Sequence, residues 1–329
     1  MTGTLLVSRT GGHDYSVDFA KVRSTIRSND GTEYLQFVAG LRPRYDVVYR
    51  DIALGYAALL ATSWLVSLSI SLAWLQGVTL LAGAVSIGFW IAYLQLFMHE
   101  AAHYNLTRNK TWNDRIANIF VCSIGGQEIK RYRRVHFQHH RALGRVDDTE
   151  RTYANTLSAG FLLATLVGFR SLQVIKARTN HLSAEINRDK GLGFLSTWTI
   201  LTLLLHAGVI GLALWIQDYA LVIAWVAGVT IFFPFFGALR NLLEHRPAKK
   251  TDDSRAAVTR VFGDDLFSRT YGAAGFNRHL LHHWEPQVSY TNLSDLEKFL
   301  ASTELKQILE ERRTTYWRAF RELFEWSKG

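Results

Sequence analysis

Two charge-free stretches constrain this chain more than any other feature. From Ile52 to Met98 there is no Lys, Arg, Asp or Glu, and from Gly191 to Leu239 the only charged residue is Asp218. Each stretch accommodates two helical spans of about 20 residues joined by a short turn. The expected fold is an all-α membrane protein with four transmembrane helices in two hairpins.

The turns fall where amphipathic residues fall. "AWLQGVT" at 73–79 and "LWIQDYA" at 214–220 place Trp and Tyr at a membrane boundary. Neither contains Lys or Arg, so all 37 basic residues lie outside the hairpins, in segments 1–51, 99–190 and 240–329. Two hairpins put those segments on one side of the membrane, and the positive-inside rule makes that side cytoplasmic. The expected organisation is a cytoplasmic segment 1–51, hairpin 52–98, cytoplasmic region 99–190, hairpin 191–239 and cytoplasmic region 240–329.

A third apolar run, Leu157 to Phe169, is too short to span and is followed by Arg170, Lys176 and Arg178. It reads as an interfacial or buried helix. The first 50 residues are polar, so the first membrane helix is expected to do the targeting. Cys122 is the one cysteine, which excludes an intramolecular disulfide and any cysteine-ligated cluster within the chain. The net charge of +9 is accounted for by basic loops against an anionic membrane face, and no nucleic-acid partner is expected.

Histidine carries the chemistry. Of 12 histidines, eight sit in three clusters: "HEAAH" (His99, His103), "HFQHH" (His136, His139, His140) and "HLLHH" (His279, His282, His283). On a helix, positions i, i+3 and i+4 share a face, so each cluster aims its imidazoles in one direction. Neutral imidazole is the commonest transition-metal ligand. An HExxH pair by itself reads as a zinc protease with Glu100 as base, but a catalytic zinc takes three protein ligands, and eight convergent imidazoles exceed that need. Two metals are the economical reading. Chance accounts for one such cluster far more readily than for three.

These boxes, the two hairpins and the loops between them resemble the membrane fatty acid desaturases and their hydroxylase relatives over roughly residues 45–295. The third box continues as "NRHLLHHWEPQVSYTNL", close to the family pattern N-x-H-x-x-H-H-x-x-P-x-V, and the second as "HHRALGRVDDTE". "RNLLEHR" adds Asn241 and His245, matching an asparagine and an extra histidine ligand of the stearoyl type. The resemblance implies two irons, dioxygen as co-substrate and a lipid acyl chain drawn from the bilayer, with the boxes on a cytoplasmic helical cap. It assigns His99, His136, His140 and His279 to one iron, with Asn241 acting through a water, and His103, His139, His245, His282 and His283 to the other. Box 1 is one residue shorter than in the stearoyl type, and His279 stands where front-end desaturases carry glutamine.

Breaking an unactivated C–H bond requires dioxygen activated at iron, and zinc, lacking redox chemistry, does not supply it. Metal-bound histidines usually donate their other N–H to a carboxylate or carbonyl. Glu100, Asp147, Asp148, Glu244 and Glu285 are placed for this by sequence, with Asp148 and Glu244 preferred. An ordinary solvated acid is the competing reading for each. The basic run around Arg131, Arg133 and Arg134 suits a phosphate-bearing headgroup or an acidic carrier, or simply anionic lipid.

His206 lies within the third span, where either a neighbouring helix satisfies it or it lines a substrate tunnel. His13 and His181 read as surface residues. Pro234 is expected to kink the fourth helix. Near the C-terminus, Leu305, Leu309, Trp317, Phe320 and Phe324 form the apolar pattern of amphipathic helix, docked on the protein or lying on the membrane.

The reaction draws two electrons from outside, yet the chain carries no HPGG haem motif, no cysteine set and no G-x-G-x-x-G. A separate donor is implied, ferredoxin or a b-type cytochrome with its reductase. Desaturation leads, and hydroxylation of an alkyl, sphingoid or isoprenoid lipid on the same irons is the alternative. A zinc hydrolase and a non-catalytic metal carrier complete the set.

Overall fold

A computed structural model describes residues 16–68, 76–143, 148–150, 156–169, 197–245 and 259–326. His13, Asp147 and His181 lie outside the described residues. Within them, all regular structure is helical, beside two isolated bridge pairs. The helices are α1 (Ser16–Val22), α2 (Tyr34–Gly40), α3 (Tyr45–Leu68), α4 (Gln76–Ala102), α5 (Lys110–Ala117), α6 (Ile129–Ala142), α7 (Ala159–Leu166) and α8 (Thr197–Trp215). They continue with α9 (Tyr219–Ala227), α10 (Phe233–His245), α11 (Leu266–Tyr271), α12 (His279–Trp284), α13 (Leu293–Ala301), α14 (Lys306–Arg312) and α15 (Tyr316–Trp326).

Four helices are long and apolar enough to cross a membrane: α3, α4, α8 and the run from α9 to the end of α10. They overrun the charge-free stretches at the box ends. α3 begins at Tyr45, α4 ends at Ala102 and α10 ends at His245. Loss of apolarity marks where a helix leaves hydrocarbon, whereas its hydrogen bonding continues until a cap or a turn stops it.

The lone charge of the second hairpin has a local explanation. Asp218 caps α9, its carboxylate accepting the Leu221 N–H at 2.9 Å, so it satisfies an otherwise orphaned donor in the turn. Trp215 and Tyr219 beside it are exposed, as suits an interfacial belt.

α4 is the central helix, packing on α3, α9, α10 and α6. Its approach to the fourth span requires glycine on both sides. A Cβ on Gly88 would lie 2.7 Å from the Phe233 nitrogen, and one on Gly228 would lie 2.7 Å from Ile87. Between α9 and α10 the chain widens into a π-helical turn, Gly228–Phe232, closed by the Phe233 N–H donating to Gly228 O. Pro234 follows directly and has no N–H to continue the α pattern, so the interruption expected there takes the form of a wide turn.

The apolar run at 157–169 forms α7, eight residues long and capped by Ser158. α7 packs on α10 with Phe161 inward, while Leu163, Leu166, Val167 and Phe169 are exposed. α1 covers the back of α12, with Phe19 stacked on Trp284 at 4.6 Å and Arg23 paired with Glu285 at 2.8 Å.

The C-terminal pattern divides into three short helices. Leu305 and Leu309 are buried, and on α15 the docked stripe is Tyr316, Ala319 and Leu323. Trp317 stands outward, and Phe320 and Phe324 are half-buried beside it.

Candidate metal centre

Each histidine cluster sits where a helix ends or begins. His99 lies in the last turn of α4 and His103 just beyond it, where Tyr104 turns the chain at φ +62°. His136, His139 and His140 line one face of α6, His245 ends α10, and His279, His282 and His283 make up half of α12. Before α12 the chain turns through Ala274 (φ +51°) and Gly275 (φ +86°), where a Cβ on Gly275 would meet Tyr290 at 2.8 Å. Phe276 then stacks on His279 at 4.9 Å and leans on His99 at 4.6 Å.

Arg133 locks box 2 onto box 1. Its guanidinium donates to Ala102 O at 2.8 Å and Ala101 O at 3.0 Å, the carbonyls left open at the end of α4, and pairs with Asp114 of α5 at 2.5 Å. It also lies 3.9 Å from the Tyr104 ring centroid. All of its donors point inward, so Arg133 is not a headgroup ligand. The spacing places it on the inner face of α6 with His136, while Arg134 is exposed and Arg131 half-buried.

Glu100 ties box 1 to the segment after box 3, accepting from Ser289 Oγ at 3.0 Å and Tyr290 N at 3.3 Å.

Nine imidazoles converge in two groups able to hold a metal ion. His99, His103, His136, His140 and His282 form one, and His139, His245, His279 and His283 the other. This partition differs from the one the resemblance implied: His279 changes places with His103 and His282. The reason is rotational. His279 and His283 are one turn apart and face α10, whereas His282 projects about 100° to the side, toward α4. Nε2 atoms face each other at 3.0 Å in the pairs His103–His136, His136–His140 and His140–His282. In the second group the corresponding separations are 3.2 Å for His139–His245, 2.8 Å for His245–His279 and 3.1 Å for His279–His283.

These residues fit metal ions. Nitrogens about 2.1 Å from one ion are about 3.0 Å apart at right angles and about 3.4 Å apart in a tetrahedron. The observed separations of 2.8–3.2 Å lie in the range of nitrogens that share one ion. Both ring nitrogens of His99 and Oδ1 of Asn241 are buried without a hydrogen-bond partner. Asn241 lies one turn before His245 on α10, beside the four-imidazole group in sequence and not beside the group to which the resemblance assigned it.

Electrostatics favour lone pairs over protons. Burial, then the neighbouring imidazoles, holds His136, His279, His282 and His283 well below the ordinary histidine range. Burial followed by Arg133 lowers His103 to about 3, and burial with His103 and His139 lowers His140 to about 3. His139 is the exception. Burial opposes its charge, but Glu150 and Asp148 outweigh burial and raise it.

Two carboxylates reach imidazole Nδ1 atoms. Asp148 lies 2.8 Å from His139 and Glu150 lies 3.3 Å from His136, which fixes the tautomer that offers Nε2 inward. Glu150 was missed by sequence reasoning, since its one signal was a place in the acidic run after box 2. The other acids are engaged elsewhere. Glu100 stays 4.0 Å from His99 Nδ1, Glu244 accepts from Tyr316 Oη at 3.3 Å and pairs with Arg240 at 3.8 Å, and Glu285 is held by Arg23. Sequence adjacency to a ligand does not aim a side chain at it. His206 accepts the Trp225 indole N–H at 3.2 Å, so a neighbouring helix satisfies it.

Fold and site together define a helical membrane protein whose span ends assemble a paired polyhistidine centre able to bind metal. A fatty acid desaturase family model matches residues 72–320. The chain belongs to the fatty acid desaturase family, whose members are oxidoreductases acting through metal-dependent oxidation. No curated protein matches the chain.

Proposed function

We propose that this protein is a di-iron, dioxygen-dependent lipid oxidase that introduces a carbon–carbon double bond into an acyl chain. The carrying observation is the pair of imidazole groups, nine nitrogen donors with no carboxylate among them, gathered from the ends of two membrane-spanning helices and from α6 and α12. His99, His103, His136, His140 and His282 would hold one iron. His139, His245, His279 and His283 would hold the other, and Asn241, whose buried Oδ1 has no hydrogen-bond partner, is the candidate for a further donor. The bound irons would supply dioxygen activation and hydrogen abstraction from an unactivated C–H. The balance is one –CH2–CH2– unit, O2, two electrons and two protons giving –CH=CH– and two waters.

The chain's own part is positional. Asp148 and Glu150 accept hydrogen bonds from the Nδ1–H groups of His139 and His136 and keep two ligands turned inward. Arg133 and Glu100 hold boxes 2 and 3 against box 1. Burial of the whole set excludes water, and the acyl chain enters from the bilayer beside the spans. The electrons come from a separate donor, a ferredoxin or b-type cytochrome with its reductase, on the side that carries the basic loops, read as cytoplasmic. Hydroxylation of an alkyl, sphingoid or isoprenoid lipid on the same ligands is the alternative, because placement of the substrate carbon at the sub-ångström scale separates the two outcomes.

A zinc hydrolase is disfavoured by Glu100, whose Oε2 is taken by Ser289 and Tyr290 instead of standing free as a base. The test is metal content of the detergent-purified protein beside His139→Ala, with lipid mass spectrometry of expressing cells grown with and without oxygen. About two irons per chain, diminished in the variant, with an oxygen-dependent change of two hydrogens in lipid mass, is the expected result. A gain of one oxygen transfers the reading to hydroxylation. One zinc indifferent to His139, or iron without any lipid product, overturns it.

A further inference from the structure

Leu266 and Phe267 of α11 and Trp317 of α15 are large apolar residues left exposed beside the spans. Phe89, on α4, lies ten residues before His99, about 15 Å along the helix axis at about 1.5 Å per residue. From Phe89 a ladder of rings leads outward: Phe236 of α10 at 5.3 Å, Tyr271 of α11 at 6.4 Å, then Phe267 on Tyr271 at 5.5 Å and Tyr316 of α15 at 6.2 Å from Phe267. Trp317, Phe320 and Phe324 extend it along α15 with centroid spacings of 5.9 and 5.8 Å. Elements outside the spanning helices thus reach the level of the spans' own side chains.

A second observation places α11 and α15 against the spans independently. Arg240 precedes His245 by five residues on α10, about 7 Å deeper along the axis. Its charge, paired with Glu244 at 3.8 Å, would face lipid were it not covered. It is covered by α11 and α15: the guanidinium lies 5.2 Å from the Tyr271 centroid, and Tyr316 hydrogen-bonds Glu244. Arg240 is 4% exposed and Glu244 1%. Leu266 and Phe267 are nevertheless 83% and 60% exposed, and Trp317 67%. The outer side of this shield carries Leu266, Phe267 and Trp317 beside exposed Asp265, Arg269, Arg318 and Arg321, the mixed apolar and charged face of a helix that lies in a membrane interface.

We propose that α11 and α15 form a monotopic membrane-docking face, seating Leu266, Phe267 and Trp317 in the boundary between headgroups and acyl chains. The occupant is the bilayer, because the patch adjoins the spans α4 and α10 through half-buried Phe89 and Phe236. Trp317 is the residue type favoured at that boundary, and Arg318 and Arg321 on the same helix have stems long enough to reach headgroups. The seat bears on the metal centre. Seven residues, 272–278, join α11 to His279, and Gly272 packs so closely that a Cβ there would lie 2.3 Å from Tyr316 Oη.

The test uses full-length protein in lipid nanodiscs with a thiol-reactive fluorophore at Phe267→Cys or Trp317→Cys. Leu204→Cys, on the exposed face of α8, marks a spanning helix, and Lys298→Cys, on α13, marks water. Buried Cys122 leaves the unsubstituted chain as the labelling blank. Unchanged metal content in each variant reports an intact fold. Quenching at 267 and 317 by nitroxide-bearing lipid, comparable to 204 and several-fold above 298, with little quenching by aqueous iodide, is expected. Iodide quenching equal to that at 298 overturns the proposal. Protection from both quenchers also overturns it, since a protein partner then covers the patch.

Discussion

Removing the Asp148 carboxylate isolates one half of the metal centre. Asp148 Oδ1 stands 2.8 Å from His139 Nδ1 with both side chains almost fully buried, so no water replaces the lost acceptor. A charge-assisted hydrogen bond of this kind is worth about 1.5–3 kcal/mol. Loss of a carboxylate behind a metal-bound histidine lowers metal affinity about 10- to 100-fold, or about 1.4–2.7 kcal/mol, in the same range. His139 belongs to the four-imidazole group alone, so Asp148→Ala is expected to weaken one metal equivalent and spare the other. Asp148→Asn keeps an oxygen that accepts the Nδ1–H and loses the charge only, and is expected to fall between the two. The assay is a graded chelator titration of the detergent-purified protein, with bound metal counted at each step. In the alanine variant, one equivalent departs at 10- to 100-fold lower chelator while the second follows the parent curve. A joint shift of both equivalents would refute the division into two groups. No shift would refute the role of Asp148.

Two further outcomes are expected. Arg133→Ala opens the end of α4 and leaves Asp114 without its buried partner, costing about 3 kcal/mol, while exposed Arg134→Ala stays within about 0.5 kcal/mol. Equal melting temperatures for the two variants in detergent would contradict this. Metal-stripped protein should lose stability on acidification. Buried His103, His140 and their neighbours titrate far below 6.5, so the unfolded chain binds more protons than the folded one below pH 6.5. The stabilisation is complete above pH 6.5 and falls by about 1.4 kcal/mol per pH unit for each such imidazole down toward pH 3. Melting temperatures that hold or rise between pH 7 and pH 5 in the chelated protein would run against it.

Spans and histidine boxes were legible in the sequence because both are local. A charge-free run reports its solvent residue by residue, and i, i+3, i+4 spacing puts imidazoles on one helical face whatever that helix packs against. The expected shielding of His206 was legible for the same reason, as the one ionisable group in its helix. Which acids serve the ligands was half legible. Asp148 reaches an imidazole, but Glu100 and Glu244, next to ligands in the chain, point about 100° away from them and were recruited by Ser289 and Tyr316 from distant segments.

The sequence by itself determined four membrane helices, a polyhistidine centre at their ends and the residue types that neutralise it, since each follows from periodicity and composition within one element. Tertiary structure alone decided how nine imidazoles divide into five and four, that Arg133 braces two helices instead of greeting a headgroup, and that Trp317 faces outward while Tyr316 and Leu323 dock. Those outcomes depend on the rotation of α4, α6, α10 and α12 about their own axes. That rotation is fixed by contacts between segments from about thirty to almost two hundred residues apart, and no local window of the sequence contains it.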